Sequence, residues 1–474
     1  MDSDPVFVIP TCRLRDVGKA VELYDENFHN YGRKINIWVF DDSPVSVNKK
    51  YYTNLERTST FNEVYYIGPE EKSKFITYAI ERTGITVADY IIYRIFRPSY
   101  GGNRNFSLAY TLGRKFISSD DDMQPGGYVS KNGIALNEDE VMKAKTISDL
   151  RKSRWEDFDI AGSFLDILGK SPETMGLQTG EYIEDPNYDV VTNSVKNIGN
   201  ANKDSETILY LKPLVSPMEK TKIRLAQSFR TGTSDIDAVE LLHLFLDSNA
   251  ADLVDLKSYF VITGQKPVVT AKNYRFDCGV SGYDNDPGLP PFFPTNLRFE
   301  DYSFRIWASR HPDVATAHVN SIQHHNRSTY MRPPLTSDVY NEIIANFLKR
   351  KIHGTIEKID DFSFTYEYDG VIKQKEVTNI LSQARAVDAD IEKAMHKAKN
   401  ERKKEILIKM QYGIRELFKE YDHDMFLSGF SRHIDDQNYA IKDCMTYWDR
   451  ILEISSWLAK SRKLPMRKVT NKRK

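Results

Sequence analysis

A chain of 474 residues with 40% hydrophobic, 28% charged and 12% aromatic residues and a net charge of −1 has a globular composition, and its length suggests roughly three domain-sized units. These values exclude a disordered or collagen-like chain, and the near-zero charge offers no long-range field for nucleic acid. No apolar run reaches the ~18 residues of a membrane-spanning helix.

The start Met1-Asp2-Ser3-Asp4-Pro5 is acidic and lacks the basic-then-apolar order of a secretion signal. Cys12, Cys278 and Cys444 are too few and scattered for a disulfide framework, so a reducing cytoplasm is expected. Up to residue 120, short apolar runs alternate with helical stretches, which predicts a parallel α/β sheet. Val6–Ile9 reads as a buried strand leading into Pro10-Thr11, and a helix is expected over 15–29. Ile35–Phe40 is a second strand entering Asp41-Asp42-Ser43, and Val64–Ile67 a third, stopped by Gly68-Pro69. A helix over 103–114 precedes a fourth strand, Lys115–Ser118, which runs into Asp120-Asp121-Asp122.

Residues 170–204 are polar and read as an inserted or mobile loop. Ser234–Asp237 has the pattern of a capping box that opens a helix to Asp247. Further strands are expected at 258–270, and the Gly- and Pro-rich Gly279–Pro294 reads as an irregular loop. Beyond residue 345 the character changes. Phe362, Phe364, Tyr366 and Tyr368 alternate before Asp369-Gly370, a hairpin signal. Ile380, Ala384, Val387, Ile391 and Ala394 keep helical spacing, as do Ile441, Cys444, Trp448 and Ile451. The expected organisation is a domain over 1–345, divided at 125, and a hairpin-plus-helix module over 346–474 with a basic tail, Arg462-Lys463, Arg467-Lys468 and Lys472-Arg473-Lys474.

Ligands of open α/β sheets bind at the carboxyl ends of the strands, and two strands here end in acids. An Asp-x-Asp delivered by a strand suits a divalent cation, because hard carboxylate oxygens favour Mg²⁺ or Mn²⁺ completed by substrate phosphates. Gly101-Gly102-Asn103-Arg104-Asn105 places glycines at a turn and Arg104 in the first turn of a helix, where a guanidinium reaches a base carbonyl or a phosphate. Thr11 and Arg13 follow the first strand, and Asp41 or Asp42 after the second accepts from a base N–H or a ribose hydroxyl.

The order Ile9-Pro10-Thr11, Asp41-Asp42-Ser43, Gly102-Asn103-Arg104-Asn105, Asp120-Asp121-Asp122 resembles a GT-A-fold, family-2-like glycosyltransferase over residues 5–125. The resemblance implies an α/β fold with a Rossmann-like, mostly parallel sheet, and a nucleotide-sugar donor linked to UDP or GDP. Thr11, Arg13, Asp41, Asp42 and Arg104 would then hold the nucleotide, Asp120 the ribose and metal, and Asp122 the metal. One departure is Asp-Asp-Ser-Pro where Asp-Gly-Ser is common, which leaves open which Asp meets the base. Phe299–Trp307 resembles the Glu-Asp helix of the same enzymes, with Asp301 or Glu300 as acceptor base and Phe299, Tyr302 and Ile306 facing the core.

His311, His318, His324 and His325 cluster, and the resemblance implies one late metal-binding His, with His325 preferred to His324. Gly279–Asp284 would border the acceptor pocket, with Tyr283 stacking on a sugar and Asp284 beside it. The implied activity is transfer of a hexosyl group to an acceptor glycan, lipid-linked or small, with inversion if Asp301 lies in line. The basic tail reads as a solvated end or as a contact with anionic lipid at the inner face of a membrane; nucleic acid is disfavoured. One rival reading is a nucleotidyltransferase, which wants a glycine-rich basic loop after strand one, whereas no glycine occurs before Gly18. Another is a non-catalytic scaffold of the same fold.

Overall fold

The computed structural model describes residues 3–58, 60–84, 88–125, 127–129, 154–156, 159–172, 175, 178–184, 208–214, 222–232, 238–247, 254–255, 260–262, 268–270, 279–295, 297, 300–301, 304, 308, 314–325, 330–331, 335–356 and 374–469. The N-terminal half opens with β1 (Ser3–Thr11), α1 (Leu14–Asn30), β2 (Asn36–Asp41), α2 (Val45–Arg57), β3 (Val64–Ile67), α3 (Pro69–Thr83), α4 (Ala88–Ile95), α5 (Tyr100–Tyr110) and β4 (Arg114–Ser119). The strands that follow are β5 (Met123–Gln124), β6 (Gly127–Val129), β7 (Arg154–Glu156), β8 (Gln178–Glu184), β9 (Ile208–Leu214), β10 (Lys222–Gly232), β11 (Val254–Asp255), β12 (Phe260–Ile262), β13 (Val268–Thr270), β14 (Val280–Asp284), β15 (Val314–His325), β16 (Tyr330–Met331) and β17 (Arg467–Lys468).

The apolar run Val6–Ile9 is buried on both faces because β1 sits inside the sheet, parallel to β2 and to β4. Alternate side chains feed two cores. Phe7, Ile9, Ile37 and Val39 meet Val17, Val21, Tyr24 and Phe28 of α1. Val6, Val8, Trp38 and Phe40 meet Phe75, Ile92 and Phe106 of α3, α4 and α5. Among the described residues the sheet has the order β12-β9-β8-β13-β15-β10-β14-β4-β1-β2-β3-β17, with β5 beside β15. The β4-β1-β2-β3 group is parallel, while β14 runs antiparallel to β4 and β10. The protein is thus an α/β fold with a mixed, substantially parallel sheet and a helical C-terminal region.

Two loop expectations are corrected. Part of the 170–204 segment is strand: β8 pairs with β9 and β13. The Gly-rich 279–284 segment is β14, buried along its length between β4 and β10. Gly282 reads as a loop residue in sequence, but its missing side chain lets Phe164 and Leu168 close on the strand. The 362–370 hairpin and the cap at 234–237 lie outside the described residues, although the helix Ala238–Asp247 ends where expected.

In the C-terminal region, Ile380, Ala384, Val387, Ile391 and Ala394 form the buried stripe of the helix Gln374–Lys397. Asn400 and Asp422 cap the next two helices, Glu401–Leu417 and His423–Lys460, by accepting from backbone N–H groups in their first turns. The last helix joins two cores. Phe426, Phe430 and Ile441 pack in the helical cluster, whereas Cys444, Trp448 and Ile451 pack against the N-terminal sheet. The expected boundary at 345 falls inside the helix Thr336–Ile356. The basic tail is also partly committed: β17 pairs antiparallel with β3, Arg467 bonds Glu70 and Glu71, and Lys468 bonds Glu63. Among the described residues no helix is long and apolar enough to cross a membrane.

Candidate active site

From β1 the chain moves outward to β2 and β3, then returns to place β4 on the other side of β1. Such a reversal opens a crevice at the strands' carboxyl ends. Here those ends are Thr11 and Ser119, and the acid triplet follows at once. Asp120 accepts Met123 N–H through its carbonyl and donates its own N–H to Gly279, which closes the turn. Asp121 points inward and is 7% exposed. It accepts from the Thr11 hydroxyl at 2.5 Å and from the Arg13 guanidinium on both oxygens. The middle carboxylate therefore ties β4 to the loop after β1. Its neighbours are more open, with the Asp120 side chain 36% and the Asp122 side chain 15% exposed. Arg13 also reaches Asp122 Oδ2 at 2.9 Å.

Ser99 caps α5 by accepting Gly102 N–H at 2.9 Å, so the helix begins at Tyr100 rather than 103. This corrects two expectations. Gly101 and Gly102 lie within the helix, and a side chain at either would collide with the carbonyl of Phe293 or of Arg97. Arg104 consequently occupies the second turn. Its Nη2 donates to Asp120 Oδ1 at 3.1 Å, and its Nε lies 3.9 Å from Asp301 Oδ1. Glu300, Phe304 and Ala308 form one buried helical face, which leaves Asp301 turned toward Arg104. Phe299, Tyr302 and Ile306 lie outside the described residues.

Several acids thus surround one guanidinium. Burial pushes the Asp120 carboxyl up to about 6, helped by Asp122, Asp301 and Asp121 and opposed by Arg104. Glu300 rises to about 8, chiefly through burial and then through the charge of Asp301, again against Arg104. Burial also raises Asp121, with Arg13 pulling the other way.

At the end of β2 the two aspartates separate in role. Asp41 is fully buried; its oxygens accept from Ser43 N–H at 2.8 Å and from the Tyr66 hydroxyl at 2.7 Å. It therefore shapes the turn and does not face a ligand, which corrects the expectation for that residue. Asp42 is the more open of the pair and bonds Lys72 Nζ at 2.5 Å. Lys72 is itself buried, and burial pulls its ammonium below the usual lysine range while Asp42 and Asp41 hold it up. Lys72 escaped the sequence reading because, by spacing, it is an ordinary charged residue of an amphipathic helix.

The second half supplies a further approach. β5 pairs with β15 so that His325 lies opposite Met123 and His324 opposite Gln124. His325 is thereby brought by backbone register beside the residue that follows Asp122, while His318 pairs with Gln227 and Val268 farther along. Ring positions of these histidines, and all of His311, lie outside the described residues. Among the described residues no three acid, Cys or His side chains converge as a preformed metal cage.

The two acceptor-pocket expectations fail. Tyr283 is 1% exposed and stacks on Phe116 at 4.5 Å, with its hydroxyl 3.0 Å from Ser281 Oγ. Asp284 pairs in register with Lys115, at the opposite end of β4 from the acid triplet. Both belong to a central strand, so neither reaches the crevice. No protein-family model matches the chain, and no curated protein matches it.

Proposed function

We propose that the protein is a metal-dependent glycosyltransferase of GT-A type that moves a hexosyl group from a nucleoside diphosphate to an acceptor hydroxyl. The observation that carries this reading is Arg104 lying between Asp120 and Asp301, 181 positions apart, at the β1–β4 crevice. One carboxylate belongs to the strand-end acid triplet and the other to a helix from the second half, so donor and acceptor groups share one recess.

The donor set fits a hard divalent cation. Asp120 and Asp122 are the open members of the triplet; the Asp120 carboxyl is raised first by its burial and then by the charges of Asp122, Asp301 and Asp121, and added positive charge would favour its ionised form. Mn²⁺ or Mg²⁺ would be held there, with His325 as a further candidate ligand. A bound cation would neutralise charge on the departing diphosphate. The protein's own groups supply the rest. Arg104 and Arg13 offer guanidinium donors to phosphate oxygens. Asp301, 28% exposed, accepts the acceptor hydroxyl's proton. Glu300 keeps its proton at neutral pH and so holds its place without adding charge.

The test is a panel of nucleotide sugars with and without Mn²⁺, read as release of the nucleoside diphosphate. Metal-dependent turnover of at least one donor, lost in Asp120→Ala and Asp122→Ala, is expected. Equal turnover in both variants and the parent would refute the proposal.

A further inference from the structure

Lys72 lies in the first turns of α3, and its ammonium donates to three acceptors, two at the end of β2 and one on α5. These are the carbonyl of Asp41 at 3.0 Å, Asp42 Oδ1 at 2.5 Å and Asn103 Oδ1 at 2.7 Å. A protonated lysine has three N–H donors, so none remains for a ligand. The arrangement is fixed from the far side as well. The Asn103 amide nitrogen donates to the carbonyls of Phe40 and Thr11, which turns its oxygen toward Lys72. Asp42 is anchored through its N–H to the Thr11 carbonyl at 2.8 Å, over the end of β1.

Asp42 is therefore a carboxylate with one oxygen pinned. Lys72 is the only side chain bonded to it among the described residues, and its side chain keeps 12% of its surface open. Oδ2 remains as one acceptor at the edge of the crevice, next to Thr11 and the loop that carries Arg13.

We propose that Lys72 sets the nucleobase preference of this site by pinning Oδ1 of Asp42, leaving a single acceptor that selects uracil over guanine and cytosine. The inference rests on the nucleoside diphosphate reading above. Guanine presents two adjacent donors, N1–H and N2–H, and needs both carboxylate oxygens. Uracil presents one ring donor, N3–H. Cytosine has a lone pair at that ring position and meets an acceptor with repulsion. Lys72 is a positioning residue here, because it acts through Asp42.

The experiment is calorimetric titration of UDP, CDP and GDP, each with Mn²⁺, into the full chain. UDP should bind about tenfold or more tightly than either of the others, the span of one hydrogen bond to a charged group. In Asp42→Asn, Lys72 still takes the side-chain oxygen, so the amide presents N–H where Oδ2 stood. UDP should weaken about tenfold and CDP should overtake it. Adding Lys72→Met to Asp42→Asn frees the amide to turn, and the reversal should disappear. A merely structural Asp42 would weaken all three ligands together.

Equal affinity for the three diphosphates in the parent, or a uniform loss in Asp42→Asn, would overturn the assignment while leaving the transferase reading in place. Binding of none of them overturns both. If the Lys72→Met combination fails to fold by circular dichroism, the reversal in Asp42→Asn alone decides the matter, since that variant retains Lys72.

Discussion

Replacing Glu300 by glutamine should stabilise the protein in alkaline solution while sparing its activity at neutral pH. In the folded chain burial and Asp301 hold this carboxyl protonated up to about pH 8, against an ordinary value of 4.5. The unfolded chain releases the proton near 4.5, so between pH 4.5 and 8 the unfolded state binds fewer protons than the native one. Native stability contributed by this group therefore falls as pH rises through that window, and levels off above it. The gap of 3.5 pH units, 8 minus 4.5, corresponds to about 5 kcal/mol at most; burial supplies the larger part, and the smaller part due to Asp301, which is partly in solvent, is screened, leaving a few kcal/mol. Taking ~2.1 cal/mol/K per residue for the entropy of unfolding, the chain unfolds with about 1 kcal/mol/K, so the melting temperature should shift by about 2–5 °C. Glutamine copies the protonated acid and cannot ionise. Scanning calorimetry from about pH 4 to 9 should show the variant and parent closest at the acid end and diverging steadily between about pH 4.5 and 8, with the variant higher. Parallel melting profiles across the range would refute the assignment of a buried, protonated Glu300. Loss of turnover in a folded Glu300→Gln protein would move the base role from Asp301 to Glu300.

Asp301→Asn should lower kcat by about 10²–10⁴ with UDP affinity little changed, measured by steady-state kinetics and titration side by side. Gly101→Ala forces a methyl group against the Phe293 carbonyl and should cost about 1–3 kcal/mol, visible as a lower denaturation midpoint. Tyr283→Phe removes the contact with Ser281 and should cost about 1 kcal/mol. It should leave the acceptor KM unchanged, because the ring is in the core; a raised acceptor KM would restore Tyr283 to the pocket.

The parts of this fold that read directly from sequence are those set by local patterning. Val6–Ile9, Val64–Ile67 and the stripe from Ile380 to Ala394 each announce their burial by an unbroken or periodic apolar run. The candidate site was legible to the extent that strand ends announce it: Thr11, Arg13, Arg104 and the acid triplet converge as their order implied. What stayed hidden depends on tertiary neighbours. Gly282 and Tyr283 look like a loop because glycine carries no pattern, yet the space beside Gly282 is filled by Phe164. Asp41 and Asp42 are indistinguishable as adjacent acids. Only the Tyr66 hydroxyl and the Lys72 ammonium, each from outside the motif, give them different work. The α5 start was misplaced by three residues because the glycines suggest a turn, whereas they serve close packing against Phe293 and Arg97.

The C-terminal helix bears on the candidate site through the segment it supports. Its Asp436 and Asp443 pair with Arg97 and Arg94, which flank the entry to α5 and hence Arg104. From the same helix Trp448 donates its indole N–H to the Leu289 carbonyl at 2.8 Å, and Cys444 lies against the carbonyl of Phe292. Residues 289–295 lead into Glu300 and Asp301, and Asn105 of α5 grips them by bonding both the N–H and the carbonyl of Phe292. The approach to Glu300 and Asp301 is thus clamped between α5 and the last helix. Arg104, on α5, touches acids on both sides of the crevice. A C-terminal region built in this way is part of the frame that fixes the distance between the two groups of carboxylates, and loosening it would be felt at Asp301 and at Asp120, which share Arg104, before it was felt at Asp121 and Asp122, whose ties run through Thr11 and Arg13 instead.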